Sequence, residues 1–225
     1  MHEPTTIRLI LAIQTTGCVD LIMPQPHKGD LQYEPDVLKK RPKLAVYIAN
    51  IAHKWTLIDV LHGELLADML RSESRFTTAV YLRLRGARSA ALFAVAEEAL
   101  SKDLLKEFRN VMDKSRRVEE SRNDVIHALW GIDNSREDII IRIDPSTHVK
   151  WFSAEHAVES GTEHSLRMAE EARIEHRKAA LVYTESDFID IEKRIDELFT
   201  AVYQFSEKVN LQLAQQHKVG TISKS

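Results

Sequence analysis

The distribution of proline divides this chain into two parts. Five of its six prolines lie within the first 42 residues, and none interrupts residues 43 to 144. Because proline removes a backbone donor and clashes with the preceding turn, a long stretch without it favours long helices. The first 41 residues carry no sustained hydrophobic period and are expected to form an arm or loop. We therefore predict an N-terminal arm over residues 1–41, a helical domain over 42–215 and a C-terminal tail over 216–225.

Hydrophobic spacing predicts three helices in the first part of the domain. Pro42 suits the first position of an amphipathic helix that runs to about Leu70. Gly63 inside this helix costs about 1 kcal/mol relative to alanine, which suggests a close helix contact there. A second helix-prone stretch runs from residue 76 to about residue 100, with a kink expected at Gly86. Ser101 is suited to be the N-cap of the third helix.

The last helix has the clearest pattern in the chain. Thr184 and Asp187 have the spacing of a capping box. The apolar residues that follow, at alternating steps of three and four, form one narrow seam: Phe188, Ile191, Ile195, Leu198, Val202, Phe205 and Val209. Such a seam serves either as intramolecular core or as a dimer contact, and core is the default expectation.

A β-branched run precedes this last helix. Residues 138–144 contain four isoleucines, and residues 149–152 follow after a Pro-Ser-Thr turn, so we predict a β-hairpin. Residues 160–178 are charged with little apolar pattern and are expected to be a mobile excursion or a surface helix. The fold prediction is all-α: a four-helix up-and-down bundle with a small β-hairpin inserted before the last helix.

Composition limits the classes of function. The net charge is −3 and the pI is near 6.4, which argues against a protein that coats nucleic acid by bulk charge, although a local basic cleft stays open. Cys18 is the single cysteine, so an intramolecular disulfide is excluded. The apolar run over residues 7–13 is too short to span a bilayer. It fits either a weak lipoprotein-like signal or, as we expect, the arm of a cytoplasmic protein without a membrane association.

Chemistry concentrates in one stretch, residues 121–131. Arg122, Asn123 and His127 are expected on the last turns of a helix, with Gly131 at its C-terminus. Asn123 and His127 are four apart and share a helix face. Arg122 and His127 are five apart and diverge by roughly 140°. Arg122 must therefore reach around the helix or meet a histidine of another chain.

Arg122 also falls on the apolar stripe of its helix. Counted from Leu104 in alternating steps of four and three, the stripe is Leu104, Phe108, Val111, Ser115, Val118, Arg122, Val125 and Leu129. A guanidinium there stays charged and needs a partner or water. The simplest interpretation is a snorkelling or salt-bridged arginine near a helix end, beside a surface histidine.

The remaining histidines do not form a metal-binding pattern. His53 and His62 are nine apart and lie on opposite sides of one helix, while His156, His164 and His176 each directly follow a glutamate. Carboxylate-bundle metal sites use an i, i+3 spacing instead. No glycine-rich phosphate loop is present either. We expect neither a metal nor another cofactor.

The pattern Arg122-Asn123-x-x-x-His127 resembles the signature of HEPN domains, an arginine followed after four to six residues by a histidine, often with a polar residue next to the arginine. The sequence Ala128-Leu129-Trp130-Gly131 after the histidine is similar to one form of that motif. Further similarities to HEPN-like proteins lie in the first long helix and at the start of the last one: Trp55, Ile58, Asp59 and Leu61, and Tyr183, Thr184, Asp187 and Phe188. The resemblance covers about residues 43 to 210.

The resemblance implies a dimeric four-helix fold in which two motif helices face each other. Many members of that family are metal-independent ribonucleases, and others are inactive scaffolds or nucleotide-binding modules. By this resemblance His127 would handle protons as a 2′-hydroxyl attacks the adjacent phosphodiester, Arg122 would stabilise charge on the phosphate, and Asn123 would orient the imidazole or hold the phosphate. A twofold axis would bring arginine and histidine from both chains to one phosphate.

Charge near the motif leaves two hypotheses open. Asp124, Glu119 and Glu120 disfavour RNA capture, whereas three arginines, Arg116, Arg117 and Arg85, are candidate substrate-binding residues that would offset them. The first hypothesis is a HEPN-type endoribonuclease that cleaves RNA at a composite dimer site. The second is a non-catalytic helical module that binds a nucleotide or a protein. A toxin–antitoxin or defence role would require an antitoxin or regulatory protein as partner.

Overall fold

Eight helices and four short strands make up the part of the chain that the computed structural model describes, namely residues 24–27, 32, 36–158 and 161–222, with side chains through residue 216. In chain order the elements are β1 (Gln25–Pro26), α1 (Val37–Lys40), α2 (Pro42–Leu70), α3 (Ser74–Tyr81), a 3₁₀ turn (Arg85–Ala87), α4 (Arg88–Ala99), α5 (Lys102–Ile126), β2 (Leu129–Gly131), β3 (Ile139–Ile143), α6 (Pro145–Ala157), α7 (Glu163–Ala179), β4 (Leu181–Thr184) and α8 (Glu185–Ile222). The prediction of a mainly helical protein is confirmed.

The helices α2 and α8 lie side by side and run in the same direction. Lys43 pairs with Glu185 near their starts, with Nζ and Oε2 2.6 Å apart. Near their far ends Asn210 donates a hydrogen bond to Asp68, at 3.1 Å. Polar contacts therefore follow the shared length of the two helices.

The helix α5 packs against α8 in the opposite direction. At the start of α5, the backbone N–H of Ser101 donates to Gln212 (3.0 Å), and near its end Arg194 donates to Ser121 (3.2 Å). Ser101 is also the N-cap of α5, as predicted, because its hydroxyl accepts from the backbone N–H of Leu104. The motif is thus placed beside the first half of α8.

The apolar seam of α8 is intramolecular core. Every seam residue is buried: Phe188, Ile191, Ile195, Leu198, Val202, Phe205 and Val209. The capping pair at the start of the helix is also confirmed, since Asp187 accepts from both the backbone N–H (2.7 Å) and the hydroxyl (2.6 Å) of Thr184. The core alternative for this seam is therefore the correct one.

The stretch from residue 76 to about residue 100 is helical as predicted, but the interruption expected at Gly86 is a full break that divides it into two helices. α3 ends at Tyr81 and α4 begins only at Arg88. Between them Arg85 takes a left-handed backbone conformation (φ 47°), and Arg88 Nη2 donates to the carbonyl of Leu82 directly after α3 (2.7 Å). A side chain of α4 thus caps the end of α3 and stabilises the break next to Gly86.

The predicted hairpin is half correct. β3 forms as expected, but its partners are β2 and β4, in an antiparallel sheet of order β1-β4-β3-β2. Residues 149–152 belong to α6 instead. The reason is local: Asp144 accepts from the backbone N–H of Thr147 (3.0 Å) as an N-cap, and Pro145 occupies the first turn. What the sequence suggested as a turn is a helix start.

The helix α5 is unbroken and ends inside the stretch of residues 121–131 that carries the motif. It ends at Ile126, so that His127 is its C-cap and residues 129–131 form β2. Gly131 pairs with Ile141 in the sheet and does not end a helix, which corrects that expectation. Residues 163–179 form the surface helix that was one of two expectations for this region. Most of the N-terminal arm, including the run over residues 7–13 and Cys18, lies outside the described residues.

The helix α2 is long and apolar enough to cross a membrane, judged by length and composition alone. The core helix of a soluble protein meets the same test. In this fold the face of α2 that carries Ile51, Trp55, Ile58 and Leu65 is buried in the main hydrophobic core.

A polar cluster, in which His62 and Tyr81 are buried and Arg88 and Asp59 half-buried, joins α2 to α3 and α4. Arg88 Nη1 donates to Asp59 (2.7 Å), and its guanidinium carbon lies 5.6 Å from the ring centroid of Tyr81. Tyr81 meets His62 edge to face at 6.5 Å. Burial, with the nearby charge of Arg88, lowers the pKa of His62 to about 4. His62 is therefore a neutral core residue, whereas His53 is exposed on the other side of α2.

Gly63 is required by the approach of α3 to α2. A Cβ at this position would lie 2.8 Å from Thr78 Cγ2 and 3.0 Å from Thr78 Cα. We expect Gly63→Ala to lower the free energy of unfolding by about 1–3 kcal/mol in urea denaturation, because overpacking outweighs the better helix propensity of alanine. Gly86→Ala is the control, since nothing lies within 4 Å of its Cβ position. Unchanged stability of Gly63→Ala would contradict this packing.

The stability of the fold is expected to depend on pH through His62. Its folded pKa is depressed to about 4 from an ordinary value of 6.5, so between these values only the unfolded chain binds the proton. The contribution of His62 to the free energy of unfolding is therefore complete above pH 6.5. It is lost as the pH drops toward 4, by up to about 1.4 kcal/mol per pH unit. When the free energy of unfolding is measured by denaturation from pH 4 to 7, its slope against pH should be smaller for His62→Gln than for the wild type. The slope for His53→Gln should equal that of the wild type. An unchanged slope for His62→Gln would disprove the assignment.

Candidate functional site

Arg122 lies half-buried between α5 and α2, on the apolar stripe where the sequence placed it. Its guanidinium carbon is 5.8 Å from the ring centroid of Trp55, a cation–π contact, and its Nη1 donates to Asn123 Oδ1 at 2.7 Å. The Nε of Arg122 is buried without a hydrogen-bond partner. Among the described residues no carboxylate pairs with this guanidinium, so of the two expected alternatives, a snorkelling or a salt-bridged arginine, the salt bridge is not found there. Its charge is available to an anion.

His127 occupies the position directly after α5. Its backbone N–H donates to the carbonyl of Asn123 (3.0 Å), and its side chain is exposed. Within the described chain the imidazole makes no hydrogen bond or ion pair. The structure therefore brings Arg122 and Asn123 together and leaves His127 outside this contact. Asn123 and His127 were expected to share a helix face, but their side chains make no hydrogen bond in the described chain. The imidazole is accessible to a substrate or to a second chain.

Arg142 of β3 holds the end of the motif helix. Its Nη2 pairs with Asp124 Oδ1 at 2.5 Å, and its Nε donates to the backbone carbonyl of Asp124 at 3.0 Å. A cation at this position also complements the negative end of the helix dipole. The negative charge that Asp124 adds to the motif is therefore compensated within the same chain.

A second arginine lies beside the motif on α8. Arg194 is half-buried, its Nη1 donates to Ser121 Oγ (3.2 Å), and its Nε donates to the carbonyl of Asp190 (3.4 Å). In the described part of the chain no carboxylate pairs with it. Arg194 therefore contacts Ser121, the residue directly before Arg122. Neither guanidinium has a carboxylate partner among the described residues.

Aromatic side chains pack beneath the end of the motif. The ring centroids of Trp130 lie 5.6 Å from Tyr183 and 6.0 Å from Phe188. Burial raises the pKa of Tyr183 to about 12, so its phenol stays protonated at neutral pH. This cluster connects the sheet to the bundle and gives the site a rigid base.

The three arginines predicted to bind substrate are all exposed, and they occupy different places. Arg116 lies seven residues before Asn123 and therefore on the same outward face of α5. Arg117 lies on another face, where its Nε donates to the carbonyl of Asp113 (3.3 Å). Arg85 is in the 3₁₀ turn before α4 and makes no hydrogen bond or ion pair with the motif within the described residues. Arg116 is the best placed of the three.

Sequence reasoning missed Arg142 and Arg194. The signal for Arg142 was present, because a lone arginine in a run of isoleucines needs a partner for its charge. No comparable signal marks Arg194, whose role depends on the way α8 crosses α5. Trp55 was noticed only for its resemblance, and its contact with Arg122 could not be read from the sequence.

Neither a cluster of metal-ligating side chains nor the cavity at the start of α2 and α8 coincides with the motif in the described residues. They contain no group of three or more histidine, cysteine, aspartate or glutamate side chains placed to hold a metal. A cavity of about 770 Å³ opens where α2 and α8 begin. Its lining carries both signs of charge, with Lys40, Arg41 and Lys43 facing Asp138 and Glu185, and it includes no motif residue.

Comparison with known proteins gives no relative for this chain. No model of a known protein family, no curated protein and no solved structure matches it.

Proposed function

We propose that this protein is a metal-independent endoribonuclease of HEPN type, which cleaves RNA by attack of a 2′-hydroxyl on the adjacent phosphodiester. The observation that carries the proposal is the state of Arg122. It is a half-buried guanidinium without a carboxylate partner in the described chain, five residues before an exposed histidine at the end of the same helix.

The proposed chemistry needs one group for charge and one for protons. Arg122 is fixed by Trp55 and Asn123, and its guanidinium has no carboxylate partner in the described chain, so its delocalised charge can act on phosphate oxygens. His127 has an exposed imidazole, which can take the proton of the 2′-hydroxyl and return it to the leaving 5′-oxygen. Neither role needs a metal ion.

The charges around the motif support capture of an anion. Arg142 compensates Asp124, and Arg194 adds a guanidinium without an acidic partner among the described residues. Arg116 lies on the outward face that Asn123 shares. The formal charge of the whole chain is negative, so the attraction for RNA would be local to this surface.

A second copy of the chain is part of the proposal. Arg122 faces α2 whereas His127 faces outward, so one chain does not direct both side chains at the same phosphate. A twofold axis beside the end of α5 would let Arg122 of one protomer act with His127 of its partner.

The same divergence supports a second candidate function, a non-catalytic module that binds a nucleotide or a protein at this surface. In that case Arg122 and Asn123 would hold a ligand phosphate, and His127 would contribute only to binding. The two candidates differ in whether substitution of His127 removes turnover or only affinity.

The direct test is cleavage of labelled RNA by the purified full-length protein in excess chelator. We expect products that end in 2′,3′-cyclic phosphate, and a loss of rate of about a hundred- to ten-thousand-fold for His127→Ala. Arg122→Ala should lose cleavage too. Arg122→Lys should recover little, because lysine cannot offer two parallel donors.

His53→Ala, an exposed histidine on α2, is the matched control and should cleave at the wild-type rate. Thermal unfolding of each variant separates loss of activity from loss of fold. Cleavage that survives His127→Ala would contradict the nuclease proposal. RNA binding without cleavage by the wild type would favour the binding module.

Arg194 is expected to contribute a phosphate contact. Arg194→Gln should weaken RNA binding and reduce the slope of log K against log salt by about one, as for a lost phosphate contact. Arg109→Gln is the control, because Arg109 is exposed and already pairs with Glu97 (3.6 Å). Equal salt slopes for Arg194→Gln and the wild type would show that Arg194 has only a structural role.

A further inference from the structure

The helix α6 carries a row of aromatic rings at the surface. His148, Phe152 and His156 follow each other in steps of four and therefore lie along one face of the helix. The ring centroids of Phe152 and His156 are 4.4 Å apart, and those of His148 and Phe152 are 6.5 Å apart with planes inclined by 22°. Phe152 is 53% exposed, and no residue of α6 is buried. This aromatic row is therefore a surface feature and not part of the hydrophobic core.

The row begins at the end of the sheet to which the motif helix leads. Leu129, two residues after His127, pairs with Ile143 at the end of β3, and α6 begins at Pro145. A residue of extended chain spans at most about 3.6 Å, paired strand residues lie about 5.5 Å apart and a helical residue rises about 1.5 Å, so the Cα atoms of His127 and Phe152 are at most about 30 Å apart. Even at the rise of a stacked helix, about 3.4 Å per nucleotide, a strand of about ten nucleotides spans this distance.

The charge of α6 does not oppose a polyanion. Glu155 is the only carboxylate within this helix. It accepts hydrogen bonds from Arg173 of α7, with Nη2 at 2.7 Å and Nε at 3.1 Å. Lys150 is exposed and makes no ion pair within the described chain. The helix therefore combines exposed aromatic rings with a compensated carboxylate and an unpaired cation, which is the composition of surfaces that bind single-stranded nucleic acid.

We propose that the aromatic row of α6 stacks on the unpaired bases of single-stranded RNA, so that the substrate of the proposed nuclease is a single strand. The choice of ligand rests on the proposed function. Aromatic side chains bind unpaired bases through their faces, whereas the bases of a duplex are stacked on each other and paired, and do not reach such a row. Phe152, the most exposed ring of known contacts in the row, would make the main stacking contact.

The test is binding of oligonucleotides of about ten nucleotides by the full-length protein. The probe is 2′-O-methyl RNA, which lacks the attacking hydroxyl and so is not consumed by the proposed reaction. We expect the wild type to bind the single strand more tightly than a duplex of the same sequence. Phe152→Ala should weaken binding of the single strand about five- to hundredfold, as for the loss of one stacked base. Phe76→Ala, at a phenylalanine of α3 that is 59% exposed, is the matched control and should bind like the wild type.

Two further variants separate stacking from apolar contact and from loss of fold. Phe152→Leu keeps an apolar side chain without an aromatic face, and should lose as much affinity as Phe152→Ala. Phe152→Trp should keep the affinity, and the single strand should quench its added indole fluorescence. Thermal unfolding of each variant checks that the fold is retained.

Equal affinity of the wild type and Phe152→Ala, or full affinity of Phe152→Leu, would overturn the proposal. Self-association of the wild type that is lost in Phe152→Ala, beside unchanged RNA binding, would instead assign the row to a contact with a second chain. The proposed function fails separately. Unmodified RNA that binds through Phe152 but is not cleaved would contradict the nuclease and support the stacking row.

Discussion

The charge of Arg122 cannot be removed, and it lies on the buried stripe of α5. The protein accommodates it with the face of Trp55 and the side-chain oxygen of Asn123, and the described chain offers no carboxylate. A structural arginine at such a position would normally be neutralised by an acidic partner. The incomplete compensation is therefore the feature that suggests an anionic ligand.

The elements around Arg122 keep the end of its helix in place. Arg142 joins Asp124 to the sheet, and Arg194 joins Ser121 to α8. Trp130 packs on the aromatic side chains at the start of α8. The exposed His127 therefore projects from a backbone that is held from two sides, and under the proposed function this would limit the reorganisation that substrate binding requires.

Much of the helical architecture could be predicted from the sequence, because period and caps are local signals. The Ser101 cap and the buried seam of α8 follow directly from residue spacing. The predictions that failed depend either on tertiary contacts or on local signals that fit two structures. Arg88 capping the end of α3 requires α4 to fold back, and Asp144 before Pro145 fits a turn as well as a helix start. At the site, spacing predicted that Arg122 and His127 diverge, but the residues that contact Arg122 depend on how helices cross.

The central claim is that Arg122 and His127 of different chains act on one phosphate. It can be measured by mixing two inactive variants, Arg122→Ala and His127→Ala, under conditions that allow protomers to exchange. Half of the dimers would then be mixed, and each mixed dimer would hold one intact site of two, so the account predicts cleavage at about a quarter of the wild-type rate. If the mixture cleaves RNA no faster than either variant alone, while the wild type is active, the claim is contradicted.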